Sequence, residues 1–163
     1  MKGIFELNTP SDLLAKLERD YVKLCEDPLN VDAAFNYFVT ASCMVDWVYP
    51  DQEKARDQKE SRTSLRNSNL ILQICDDVAT GAKHFTAKAS HHKSVSETKH
   101  RGSWGAPFAD PKWFNVHWGF QGRLDIMLDG DAMKAFGECI SSQELAERLL
   151  DFWKDYLANS QER

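Results

Sequence analysis

The stretch 31-VDAAFNYFVTASCMVDWV-48 decides the architecture. It contains neither proline nor glycine, and Pro50 follows as a stop. Phe35, Tyr37, Phe38, Met44, Val45 and Trp47, with the alanines and valines between them, cover nearly every side of a 3.6-residue turn. A helix that is apolar all round belongs in the middle of a bundle, so Phe38 is expected near the centre of the core. Asn30 offers an N-cap oxygen. Asp32, Asn36 and Asp46 interrupt the run. A carboxylate inside a bilayer is expensive, so the stretch reads as a core helix and no membrane span is expected.

The flanking segments supply what such a helix must be wrapped in. Before it, Thr9 as N-cap, Pro10 at the first helical position and Asp12 three residues after the cap predict a helix over about 10–27. After it, residues 51–66 are largely charged and read as a solvated helical turn or mobile connection. Ile71, Ile74, Cys75, Val78 and Ala82 then form one stripe of a helix over about 65–83, which Lys83 and His84 close with cations. Residues 85–111, with Gly102, Gly105, Pro107 and Pro111, read as loop. The period then changes to two. Phe114, Val116 and Trp118, followed by Leu124, Ile126 and Leu128, predict a β-hairpin over about 113–128. Asp129-Gly130 reads as a turn leading to a third short strand near 132–136. Ser141 and Glu144 form a capping box that opens a last helix over about 142–158.

The expected fold is therefore α+β, mainly α, in a single domain spanning 1–163. Four helices form an assembly. A small antiparallel hairpin or three-stranded sheet is inserted between the third and fourth.

Charge is distributed unevenly. The chain carries a formal −5, yet Lys83, Lys88, Lys93, Lys99 and Arg101 against Glu97 give residues 83–101 a formal +4, which leaves −9 for the remainder. His84, His91, His92 and His100 lie in the same stretch. The acidic total excludes general nucleic-acid packaging, whereas a local basic patch can still bind phosphate. Four cysteines occur without a C-x-x-C pair, so they are expected as free thiols of a cytoplasmic protein. The N-terminal MKGIFELNTPSD has no apolar signal region, in keeping with that location.

Two sets of residues stand out as candidate sites. Lys83 and His84 at a helix end, with Asp46 as a carboxylate partner, have the types needed for a phosphate clamp and general base. Lys93, Lys99, His100 and Arg101, with Trp113 as a stacking aromatic, have the types needed to bind single-stranded nucleic acid. The spacing of His91, His92 and His100 fits no familiar ligand pattern, so no metal is expected. Nucleotide-loop, nucleophile-elbow and EF-hand motifs are absent, and no cofactor is expected.

The strings 35-FNYFVTASCMVDWVYP-50 and 74-ICDDVATGAKHF-85 resemble a set of small uncharacterised bacterial proteins. In those proteins an aromatic helix ends in Asp-Trp and a Gly-x-Lys-His-Phe comes later. The resemblance covers about residues 33–85, implies a helical core and brings no activity with it. In outline the layout is also similar to the HEPN superfamily, helical bundles that include toxin ribonucleases. Their signature is an Arg followed after four to six residues by a His. No His falls in that window after Arg56, Arg62 or Arg66, so no catalytic residue carries over.

The expected function is a small accessory or regulatory binding protein. Self-association or a protein partner is expected, with a weak anionic or nucleic-acid ligand. The competing expectation is a metal-independent, HEPN-like ribonuclease using His84 and nearby basic residues.

Overall fold

The computed structural model describes residues 4–50, 55–83, 93–104 and 120–161. Helix α1 spans Pro10–Glu26. Its capping box closes both ways: Asp12 N donates to Thr9 Oγ1 at 3.2 Å, and Thr9 N donates to Asp12 Oδ2 at 2.9 Å. Helix α2 spans Val31–Val48 and starts where Asn30 Oδ1 accepts from Ala33 N. It touches α1 and three further helices, α3 (Ala55–Ser68), α4 (Leu70–Lys83) and α6 (Ser142–Gln161), as an all-round apolar helix must. Leu17 and Leu24 of α1, Ile74 of α4 and Leu145, Leu149 and Trp153 of α6 are fully buried around it.

Buried and half-buried polar side chains bridge these helices. Tyr37 Oη donates to Ala146 O at 2.6 Å, binding α2 to α6 in the middle of the core. Tyr49 and Tyr156 bond through their hydroxyls at 2.7 Å near the other end of α2. Between α1 and α2, Lys16 Nζ pairs with buried Asp20 and donates to Thr40 Oγ1 at 2.8 Å.

The charged connection expected after α2 is helix α3 over its described part. Arg62 and Arg66, one turn apart, both face Asp46, and Leu65 packs against the core. The expected helix over 65–83 is thus two helices, broken at Asn69. Ser68 Oγ donates to Leu65 O, and Asn69 Oδ1 accepts from Ile71 N. Short polar side chains offer the backbone these alternatives to continued helix.

The sheet requires three corrections. Residues 95–104, expected within a loop, form strand β1 (Val95–Trp104). Strand β1 has no apolar alternation because it lies at the edge of the sheet among the described residues and shows water a polar side. Its partner is β2 (Phe120–Leu128), so the hairpin is built from 95–104 with 120–128. Residues 84–92 and 105–119, including the expected strand at 113–118, lie outside the described residues.

The third strand is β3 (Cys139–Ser141), giving an antiparallel order β1-β2-β3. Residues 132–136 belong instead to helix α5 (Gly130–Phe136). Asp129 caps it: its side chain accepts from Gly130 N, and its carbonyl accepts from Met133 N at 3.2 Å. Asp-Gly thus opens a helical turn here rather than a hairpin. Gly137 ends α5 at φ +89°, a conformation costly for other residues.

The fold is α+β and mainly α, with six helices and one three-stranded sheet among the described residues. Four of these helices, α1, α2, α4 and α6, correspond loosely to those expected. None is long and apolar enough to cross a membrane.

Two measurements test this core. Phe38→Ala should lower unfolding free energy by about 3–5 kcal/mol, the usual result of deleting a buried aromatic. Alkali should destabilise the fold. Burial pushes the Tyr37 phenol above its ordinary value of 10.0 and the Cys75 thiol above 9.0, while a Cys25 hydrogen bond and burial push Tyr21 up to about 12. All three groups are thus neutral in the folded state, and the stability they contribute is complete below the unfolded values and lost as pH rises through the folded ones. Tyr37→Phe should cost about 1 kcal/mol at neutral pH through the lost hydrogen bond and decline less steeply above about pH 10. An equally steep alkaline decline in urea unfolding would contradict this assignment.

Candidate functional site

Strand pairing sorts the basic residues onto two faces. Lys99 pairs with Asp125, Asp125 with Ser141, and Arg101 with Arg123, so these side chains share one face. Thr98 pairs with Ile126, Ile126 with Ile140, and His100 with Leu124. Ile126 and Ile140 are core residues, so that second face looks inward and the arginine face looks outward. Lys99, His100 and Arg101 were expected to act together. Alternation puts His100 on the inward face, away from the other two.

Arg101 and Arg123 stand directly opposite each other. Like charges in that position destabilise a sheet unless something compensates them. Asp125 does so. Its Oδ2 lies 3.1 Å from Arg101 Nε, and its Oδ1 lies 2.7 Å from Arg123 Nε. The second contact is an ion pair without a directed hydrogen bond, for Oδ1 accepts none among the described residues, whereas Arg123 Nη2 donates to Oδ2 at 3.5 Å. The Asp125 side chain is 0% exposed, while those of Arg101 and Arg123 are 53% and 52% exposed. One buried carboxylate therefore holds two arginines whose side chains are each about half in water. Lys99 lies along the same face, paired with Glu97 at 2.8 Å.

The start of β1 is anchored firmly. Asp77 of α4 accepts from Ser94 N at 2.8 Å, and Ser94 O accepts from Asp129 N. Lys93 sits just before this anchor and is exposed. At about 3.3 Å per residue it lies roughly 25 Å along the strand from Arg101, too far to share one small site.

The expected Lys83–His84–Asp46 set does not assemble among the described residues. Asp46 is exposed rather than partly buried, and its carboxylate meets Arg62 Nη1 at 3.3 Å and Arg66 Nη2 at 3.1 Å. Lys83 Nζ instead donates to Ser42 Oγ at 3.4 Å. Asn36 of α2 is exposed. His84, His91, His92 and Trp113 lie outside the described residues. No group of three or more histidine, cysteine or acidic side chains that could hold a metal occurs among the described residues.

Sequence reading did not single out Arg123 and Asp125. The alternation of Leu124, Ile126 and Leu128 assigns both to a solvated face, and only Arg101 across the ladder shows that the carboxylate is enclosed. Arg-x-Asp on a strand opposite a second arginine is a signal that could have been used.

The buried carboxylate makes a prediction. Arg101→Ala or Arg123→Ala alone leaves one counter-charge and should cost about 1 kcal/mol, because each arginine is half exposed. The double variant strands Asp125 and should cost about 3–5 kcal/mol, more than the sum of the two. Adding Asp125→Asn to the double should recover much of the loss. Simple additivity in urea unfolding would show that Asp125 does not couple the two arginines.

No family model, curated protein or solved structure matches the chain.

Proposed function

We propose that this protein is an accessory or regulatory binding protein of the cytoplasm that meets the phosphate backbone of single-stranded nucleic acid on the outward face of its sheet. The observation that carries the reading is the pair of arginines Arg101 and Arg123, their side chains half exposed and both held by buried Asp125, in a chain of net charge −5. Guanidinium groups bind phosphate through paired N–H donors, and holding both arginines in place beforehand lowers the ordering cost. Lys99 extends the face. Few contacts mean weak affinity and strong salt dependence. The four cysteines, free thiols in the structure, support the cytoplasmic location. Self-association or a protein partner belongs to the same reading, supported by apolar side chains left at the surface, Phe5 and Val22 among them.

Fluorescence anisotropy with a labelled single-stranded RNA tests the reading. The variant Arg101→Ala/Arg123→Ala/Asp125→Asn removes both guanidinium groups without stranding a carboxylate. It should lower the slope of log affinity against log salt by about 1.4, and adding Lys99→Ala by about 0.7 more. Lys93→Ala should leave the slope nearly unchanged. Equal slopes for wild type and the triple variant would remove the assignment. Wild-type protein should leave the RNA intact in the absence of metal. Cleavage abolished by His84→Ala would replace this reading with the metal-independent ribonuclease.

A further inference from the structure

The inward side of the same two strands opens onto a cleft of about 200 Å³. Its apolar walls include Ala34 and Phe38 of α2, Val78 and Ala82 of α4, and Leu124 and Ile126 of β2. His100 and Thr98 of β1, both exposed, line it as well.

Three observations point to a ligand. Val31 and Phe35 also line the cleft and stay 52% and 46% exposed, although large apolar side chains left at a concave surface commonly mark a binding groove. Ser142, the first residue of α6, lines it at 2% exposure, and its Oγ makes no hydrogen bond to any described residue. A buried hydroxyl without a partner is costly, and a ligand group that bonds to it removes that cost. The third observation is size. An apolar cavity of about 150 Å³ holds benzene, so this one has room for a ring with a polar substituent or a small fused ring.

The charge around the cleft favours a neutral ligand. Asp125 and Lys99 belong to the lining, but Asp125 is held by two arginines and Lys99 by Glu97. Phe35 and Phe38 are among the lining residues, and aromatic pairs gain from stacked or edge-to-face contact. We propose that this cleft binds a small neutral aromatic compound bearing one hydroxyl or N–H, of phenol to indole size, with that group hydrogen-bonded to Ser142 Oγ. Arg101 and Arg123 are not among the lining residues, although Asp125 and Lys99 border both the cleft and the arginine face.

Phenol, indole and benzene, titrated into the full chain and followed by methyl and amide NMR, test the proposal. Phenol and indole should saturate at millimolar concentration or below, shifting the methyl signals of Val78, Leu124 and Ile126 together. Benzene should bind about tenfold more weakly, the factor that one hydrogen bond supplies. Ser142→Ala should weaken phenol to the level of benzene and leave benzene unchanged. Ala82→Phe, which fills the cleft from a partly exposed helix position, should abolish binding of all three. The proposal fails if neither phenol nor indole saturates the wild-type chain by about 10 mM, or if the shifted methyls lie elsewhere. It also fails if Ser142→Ala changes the affinities for phenol and benzene by the same factor. The wild-type shift map decides the question even if Ala82→Phe does not fold.

Discussion

Helix α2 is apolar nearly all round, with Asp32, Asn36 and Asp46 left in water, and such a helix is stable only when most of its surface is enclosed. α1, α4 and α6 bury Tyr37, Phe38, Met44 and Val45, and α3 covers its C-terminal end. The same enclosure forces a polar solution wherever a helix carries a group that needs a partner. Tyr37 reaches the backbone of α6, and Thr40 joins Lys16 and Asp20 at the seam with α1. Because the hydrophobic contribution has no direction, these few bonds help to select one arrangement of the helices from others of similar burial.

The sheet is subordinate to that bundle. Only its inward face, through Ile126, Leu128 and Ile140, joins the core. Strand β1 contributes mainly backbone hydrogen bonds, and its position depends on the Asp77–Ser94 anchor and on the ladder to β2. A strand held in this way can carry polar residues on both sides. It therefore presents Arg101 to water on one face, opposite Arg123 of β2, and a histidine to an apolar cleft on the other. Two chemically different surfaces thus arise from neighbouring residues.

Much of the helical fold was legible in the chain. The caps at Thr9, Asn30 and Ser141 lie within a few bonds of the residues they serve, and the stripe of α4 repeats at helical spacing. Legibility failed where stability came from distant partners. Residues 95–104 look like loop because their order comes from β2, whose paired residues lie 16 to 33 positions later along the chain. Asp129-Gly130 suits a hairpin turn and a helix start alike, and the local residues do not choose between them. The candidate site was half legible: the concentration of positive charge pointed to Lys99 and Arg101, but nothing in the spacing joined them to Arg123 or separated them from His100.

By itself the sequence determined that a helix over 31–48 had to be surrounded, that the chain is mainly helical with a small antiparallel sheet, and that positive charge gathers within 83–101. These properties follow from periodicity, capping and composition, which act over a few residues or over the whole chain. Tertiary structure alone decided that Asp125 is enclosed between two arginines, that Asp46 meets Arg62 and Arg66 rather than Lys83, and that Ser142, whose hydroxyl is buried, lines an apolar cleft. Each of those facts depends on which distant residues become neighbours. The energy of a charge or hydroxyl is set by its surroundings, and its place in the chain does not state what those surroundings will be.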